Sequence, residues 1–164
     1  MDPSCLQGTL RACPVFILRD PIERLLSQQR MQLRKKKQLN PADEIQAFHK
    51  LAEKLERTPS LRSDYVRTLR SLDESFAKED ICLVLFEQLF DASSHQRLYD
   101  QLRLPYQPMD VAKKVNASVS TTPVPEEILA RIGKTQATTY TTLLKEQPQL
   151  NLERHWPTAT QWCT

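Results

Sequence analysis

The chain has 164 residues, of which 40% are hydrophobic, and this suits a single globular domain with its own core. Its net charge of +3 and its one dense basic run, at residues 34–37, do not indicate a nucleic-acid-binding protein. No apolar run is long enough to span a bilayer, and the N-terminus lacks the pattern of a secretory signal. We therefore expect a cytoplasmic protein with no membrane span.

The first predicted elements are a strand and a helix that follow each other directly. Residues 14–18 read P-V-F-I-L, an apolar run that predicts a strand buried on both faces. Asp20 suits a helix N-cap and Pro21 suits the first helical position, while Glu23 falls where a capping-box acid bonds the N–H of the cap. Apolar residues then recur at helical spacing: Ile22, Leu25, Leu26 and Leu33.

The junction between this strand and this helix predicts an anion site. Arg19 follows the strand, at the carboxyl end where open α/β sheets bind ligands. The helix start beside it is expected to offer free N–H groups and a positive dipole end. Ser27 lies about two turns into the helix and shares a face with Glu23 and Arg24, so its hydroxyl can reach the same anion. A guanidinium and a hydroxyl at fixed separation suit a phosphate monoester.

The rest of the chain predicts more helices and a second strand. An apolar run at residues 81–86 predicts another buried strand, and two such strands separated by helices predict a short, mostly parallel sheet flanked by helices, an α/β fold. The helix at about 126–144 is rich in threonine and marginal by propensity. The other helices are expected at 40–57, 61–76 and 92–104.

Cysteine and histidine patterns indicate no metal site. The four cysteines contain no C-x-x-C pair and have no histidine at ligand spacing. Cys13 and Cys82 flank or lie in the predicted buried strands, so we expect inert thiols. The three histidines are scattered along the sequence, and we expect solvated or packing roles for them.

The string Arg19-Asp20-Pro21-x-x-Arg24-x-x-Ser27, behind an apolar strand, resembles the 3′-phosphate-binding motif of the sulfotransferase family. Those enzymes use 3′-phosphoadenosine 5′-phosphosulfate. The resemblance implies that Arg19 and Ser27 bind the 3′-phosphate of this nucleotide or of its product, adenosine 3′,5′-bisphosphate. It also implies a P-loop-like sulfotransferase fold and transfer of a sulfuryl group to a hydroxyl or amine acceptor.

Later segments resemble the same family. Residues 65–90 contain a helix, a phenylalanine, a charged turn, a strand and a Glu-x-Leu, of which Glu87 is the family-like glutamate. We expect Glu87 to fix the loop as a cap or ion-pair partner rather than to act in catalysis. The V-N-A-S segment at 115–118 resembles one that lies near the nucleotide in bacterial members, and its preceding lysines, Lys113 and Lys114, are expected in a solvated loop. The H-W at 155–156 resembles a C-terminal segment that packs over the core.

One part of the family pattern is not found in the sequence. The chain has two glycines, and neither belongs to a phosphate-binding glycine loop. Residues 1–12 are too few for the strand, phosphosulfate loop and helix that precede the motif in the family. We therefore expect one sulfotransferase-like domain over residues 1–164, truncated at its N-terminus, with the missing loop on an upstream polypeptide. No catalytic base can be identified, and we expect the chain alone to have no sulfuryl-transfer activity. An upstream membrane anchor would place the protein in the Golgi lumen instead of the cytoplasm.

A second function from a different class accounts for some of the same features. A non-enzymatic helical adaptor would bind an acidic partner or nucleic acid through the basic run Arg34-Lys35-Lys36-Lys37. This alternative explains the helices and the basic run. It does not explain the Arg19 to Ser27 spacing or the two apolar strands.

Overall fold

The structure is a computed structural model, and it describes three stretches of the chain: residues 12–36, 40–108 and 122–163. Two short strands, β1 (Val15–Leu18) and β2 (Cys82–Leu85), pair in parallel. Val15 lies opposite Cys82 and Leu18 lies opposite Leu85. The predicted parallel pairing is confirmed, and within the described stretches the sheet has these two strands.

Helices make up most of the described chain. The α-helices, in chain order, are α1 (Pro21–Lys35), α2 (Pro41–Arg57), α3 (Tyr65–Ser75), α4 (Ala92–Gln101), α5 (Glu126–Glu146) and α6 (Leu152–His155). Short 3-10 turns occur at Lys78–Asp80, Phe86–Gln88, Pro148–Leu150 and Ala159–Trp162. The architecture is therefore α/β in the predicted sense, a short parallel sheet with helices packed around it.

Side-chain caps set where four helices begin. Asp20 caps α1, Asn40 accepts a 2.8 Å bond from the N–H of Asp43 in α2, and Asp91 accepts a 2.9 Å bond from Ser94 in α4. Asp64 caps α3, so this helix begins at Tyr65 rather than at the predicted position 61. Each cap satisfies a backbone N–H that the helix itself leaves without a partner.

The longest helix is α5, which the sequence marked as marginal by propensity. Its buried side chains recur about every fourth residue and form one stripe: Ile128, Ile132, Gln136, Tyr140 and Leu143. This stripe packs against α1, α2 and α3. Tertiary burial therefore stabilises a helix that its threonines alone would not favour.

The two strands differ in their burial. The prediction that both faces are buried is wrong for β1, because Val15 and Ile17 are each 41% exposed. Cys82 and Val84, on the same face of β2, are buried where α4 packs against that strand. On this face of the sheet, α4 therefore covers β2 and leaves β1 exposed.

One buried ion pair joins α1, α2 and the segment before α5. The Arg30 guanidinium lies 2.6 Å from a carboxylate oxygen of Glu44, which is almost fully buried. Arg30 also donates to the carbonyl of Thr122 at 3.0 Å and stacks over the ring of Phe48. This interaction fixes the position from which the chain enters α5.

The last turn of the described chain packs on Gly133. A Cβ atom built on Gly133 would overlap the indole ring of Trp162, so the absence of a side chain lets the 3-10 turn at Ala159–Trp162 lie directly on α5. Gly133 is buried in the middle of a helix, where glycine is otherwise unfavourable.

The Gly133 contact can be tested by a double-mutant cycle. Gly133→Ala should lower the free energy of unfolding by about 1–3 kcal/mol, because overpacking outweighs the gain in helix propensity. In a Trp162→Ala background the same change should stabilise the protein by up to about 1 kcal/mol, since the clash is gone. Urea unfolding of the four proteins measures both values, and a stabilising Gly133→Ala in the parent chain would contradict the packing.

Candidate functional site

The N-terminus of α1 is closed by its own cap. Both the Ile22 and the Glu23 N–H groups donate to a carboxylate oxygen of Asp20, at 2.9 and 3.1 Å. Pro21 has no N–H, and the N–H of Arg24 bonds the Asp20 carbonyl at 2.9 Å. The expectation of free N–H groups at this helix start is therefore wrong. An anion bound here would have to be held by side chains.

The Asp20 carboxylate is buried, and it accepts a third hydrogen bond. The Tyr140 hydroxyl of α5 donates to it at 2.9 Å. Burial raises the pKa of Asp20 above its ordinary value, although its hydrogen bonds oppose the shift. Burial, followed by the charge of Asp20, also raises the pKa of Tyr140, so this residue remains a hydroxyl donor.

Glu87 fixes the loop through two hydrogen bonds. One carboxylate oxygen accepts from the backbone N–H of Asp20 at 3.4 Å, and the other accepts from the indole N–H of Trp156 at 3.1 Å. The N–H of the cap residue therefore bonds Glu87 and not Glu23, so the predicted capping box is wrong. Trp156 is buried at the core, and this confirms the predicted packing of the H-W segment.

Arg19 is held at the end of β1 by one contact of its backbone and two contacts of its side chain. Its carbonyl accepts a 2.9 Å bond from the Tyr65 hydroxyl. Its guanidinium lies 4.9 Å from the centre of the Phe86 ring and 4.0 Å from the Glu23 carboxylate, and the side chain is 28% exposed. The Phe86 ring restricts the orientation of the guanidinium, and part of the Arg19 side chain is exposed to solvent.

Ser27 lies one helical turn after Glu23 on α1, on the same face of that helix. Because Glu23 contacts Arg19, the guanidinium, the carboxylate and the hydroxyl follow one strip of surface. Ser27 is half-buried, and its hydroxyl makes no hydrogen bond to any described residue. We call this strip, made of Arg19, Glu23 and Ser27, the arginine–serine strip.

Arg24, the remaining charged residue of the motif, points to a different neighbour. Its guanidinium lies 3.5 Å from the Tyr65 hydroxyl and 5.7 Å from the centre of that ring. The Tyr65 side chain thus contacts both arginines: its hydroxyl donates to the backbone carbonyl of Arg19 and accepts from the guanidinium of Arg24. The sequence placed Tyr65 and Tyr140 in predicted helices and Phe86 in an apolar run, and it assigned no role at the site to any of them.

The thiols and the metal-binding side chains add no second site in the described stretches. Cys13, Cys82 and Cys163 are free thiols. Burial raises the pKa of Cys82, which bonds Gln101, whereas Cys13, which precedes β1, is exposed. Among the described residues no group of three or more His, Cys, Asp or Glu side chains is placed to hold a metal ion. Lys113, Lys114 and the V-N-A-S segment lie outside those residues.

No protein-family model, curated protein or solved structure matches this chain. In the part of the chain that the structure describes, no helix has both the length and the apolar composition needed to cross a membrane.

Two substitutions separate the contribution of Asp20 as a helix cap from the contribution of its negative charge. Asp20→Ala should destabilise the protein by about 2–4 kcal/mol, because it removes the cap and leaves the buried Tyr140 hydroxyl without an acceptor. Asp20→Asn keeps the acceptor oxygen and removes the buried charge. At neutral pH it should be at least as stable as the parent chain.

The pH dependence of the stability shows whether the negative charge of Asp20 stabilises or destabilises the fold. The folded-state pKa of Asp20 is raised, so the folded chain holds its proton more tightly and the Asp20 contribution to stability falls as pH rises through that pKa. The stability of Asp20→Asn relative to the parent should therefore increase from pH 3 to pH 7, measured by urea unfolding at each pH. If the difference in stability between Asp20→Asn and the parent chain is the same at pH 3 and at pH 7, burial does not shift the pKa of the Asp20 carboxyl.

Proposed function

We propose that the chain is sulfotransferase-like and binds the 3′-phosphate of 3′-phosphoadenosine 5′-phosphosulfate or of adenosine 3′,5′-bisphosphate. The observation that carries this proposal is the arginine–serine strip beside the carboxyl ends of two parallel strands. Arg19 would bind two phosphate oxygens through its planar guanidinium, and Ser27 would donate one hydrogen bond. Both groups present polar atoms that the described residues do not occupy fully.

Two features of the structure oppose the binding of a phosphate at the arginine–serine strip. The α1 N–H groups are occupied by Asp20, so the binding energy would come from side chains and from the partial charge of the helix end. Glu23 lies 4.0 Å from the guanidinium and would repel a phosphate dianion. Binding would therefore be weak, and Glu23→Gln should strengthen it.

The family reaction would need groups besides those of the arginine–serine strip. Sulfuryl transfer to a hydroxyl or amine acceptor requires donors that stabilise the charge on the 5′ side of the nucleotide. We propose that these come from an upstream polypeptide with the phosphosulfate loop of a P-loop-like sulfotransferase fold. The exposed Val15 and Ile17 support this arrangement, because apolar side chains of a strand normally pack against a neighbouring element.

For the described residues of the basic run, a role at the end of α1 is a simpler explanation than the binding of a partner. Arg34 and Lys35 form the last turn of α1, and Lys36 follows as its C-cap, where cations stabilise the negative end of the helix dipole. Lys37 lies outside the described residues. The adaptor function gains no support from these positions.

Nucleotide selectivity tests the proposal directly. Adenosine 3′,5′-bisphosphate and 3′-AMP should both bind more tightly than 5′-AMP, by at least about tenfold, because only the first two carry the phosphate that Arg19 addresses. Titration calorimetry with the three nucleotides measures the ratio. Equal affinities for 3′-AMP and 5′-AMP would remove the basis of the proposal.

Substitution of Arg19 separates binding from folding. Arg19→Met should weaken the binding of adenosine 3′,5′-bisphosphate by about ten- to hundredfold, the range for a hydrogen bond to a charged group. It should lower stability by at most about 1 kcal/mol, because the guanidinium makes one ring contact and one partly exposed ion pair. Ser27→Ala should weaken binding less, since a hydroxyl donates a single bond.

The control for charge is Arg70→Met, which removes an exposed arginine of α3. This variant should bind the nucleotide like the parent chain. If Arg70→Met and Arg19→Met weaken binding equally, the loss of affinity comes from the change in net charge and not from a specific contact of Arg19. If Arg19→Met instead lowers the melting temperature strongly, Arg19 is a folding residue and its effect on binding is indirect.

A further inference from the structure

The outer edge of β2 presents backbone groups that lack a strand partner in the described chain. The N–H of Cys82 donates to the Pro14 carbonyl at 2.9 Å, so the polar backbone groups of Cys82 face β1. The direction of these groups alternates along a strand, and those of Leu83 therefore face away from β1. Within the described stretches no third strand lies along this edge.

A groove of about 360 Å³ lies beside the same edge. Its apolar lining comes from α3, from β2 and the residue before it, and from the 3-10 turn after α5: Leu69, Ile81, Leu83 and Leu150. Leu69 and Leu150 also belong to the core cluster, so this part of the groove is built on the packed interior. Leu83 thus contributes both a side chain to the groove and backbone groups to the edge.

The polar lining of the groove is acidic on balance. Asp73 and Glu146 contribute two carboxylates, and Lys78 contributes one ammonium group. All three side chains are exposed. The remaining polar residues are glutamines, whose amides can bond to the backbone of a bound chain.

We propose that this groove binds an extended peptide segment of another protein, which adds a strand to the free edge of β2. Strand addition satisfies the N–H and carbonyl of Leu83 through main-chain hydrogen bonds. A peptide side chain opposite Leu83 points to the same face as Leu83 and enters the apolar lining, so it is an aliphatic residue. A side chain two positions along shares that face, and the carboxylates of Asp73 and Glu146 favour Lys or Arg there.

The sequence of the edge lacks three features that prevent strand addition. Residues 82–85 read C-L-V-L, with no proline, charged residue or bulge. The proposal does not depend on the arginine–serine strip, because no residue of that strip lines the groove. A failure of nucleotide binding would therefore leave it unchanged.

The test uses the whole chain and a capped synthetic peptide, Thr-Val-Thr-Val-Thr-Lys-Thr-Lys, which places valine and lysine on one face of a strand. Amide hydrogen exchange followed by NMR should show the Leu83 N–H protected by at least about tenfold when the peptide is added. The Cys82 N–H, which already bonds Pro14, should not change. A peptide that is N-methylated at both valines should give no protection, because it lacks the required donors.

Charge variants test the specificity. Asp73→Lys should weaken peptide binding by about threefold or more, and a peptide with glutamate in place of lysine should then bind better than the original. Glu74→Lys, a neighbouring exposed residue of α3 that does not line the groove, is the matched control and should change binding much less.

Three results would overturn the proposal. The first is no protection of Leu83 at millimolar peptide, and the second is equal binding of the N-methylated peptide. The third is protection of Leu83 that rises with protein concentration in the absence of peptide. That result would assign the edge to a second copy of this chain, through strand pairing between copies.

Discussion

The buried carboxylate of Asp20 is the constraint on which the arrangement of the described chain depends. It accepts hydrogen bonds from the first turn of α1 and from Tyr140 of α5. The backbone N–H of the same residue bonds Glu87, which in turn bonds Trp156. One residue therefore connects the end of β1, the start of α1, the loop after β2, the longest helix and the C-terminal segment. Burying this charge is unfavourable, and its hydrogen bonds offset part of that cost.

Local signals predicted much of the fold. Asp20-Pro21 and Asn40-Pro41 located the starts of α1 and α2, because capping depends on neighbouring residues alone. The two apolar runs predicted two parallel strands. Burial of β1 was predicted wrongly, since an apolar run gives the composition of a strand and says nothing about which elements cover it. The stability of α5 was also underestimated, because it comes from packing against three other helices.

In the candidate site, too, the features that depend on neighbouring residues were easier to predict than the contacts between residues far apart in the sequence. The sequence placed Arg19 after a strand and Ser27 on the helix face that carries Glu23, and the structure has them there. The free N–H groups were predicted wrongly for a reason visible in the sequence, since an aspartate that caps a helix occupies the donors an anion would use. The sequence predicted that Glu87 fixes the loop, but it did not predict the Asp20 N–H as its partner, because the two residues lie 67 positions apart along the chain.

The separation between bonded residues has a consequence for the order of folding. Asp20 and Tyr140 are 120 positions apart, and Glu87 and Trp156 are 69 apart. A chain emerging from the ribosome exposes β1 and α1 long before it contains either aromatic partner, so Asp20 and Glu87 lack these distant hydrogen bonds during most of synthesis. Contacts of this length slow folding, since the loop entropy is lost before the contacts form. Until Tyr140 and Trp156 have emerged, the apolar faces of β1 and α1 are surfaces that a chaperone would recognise.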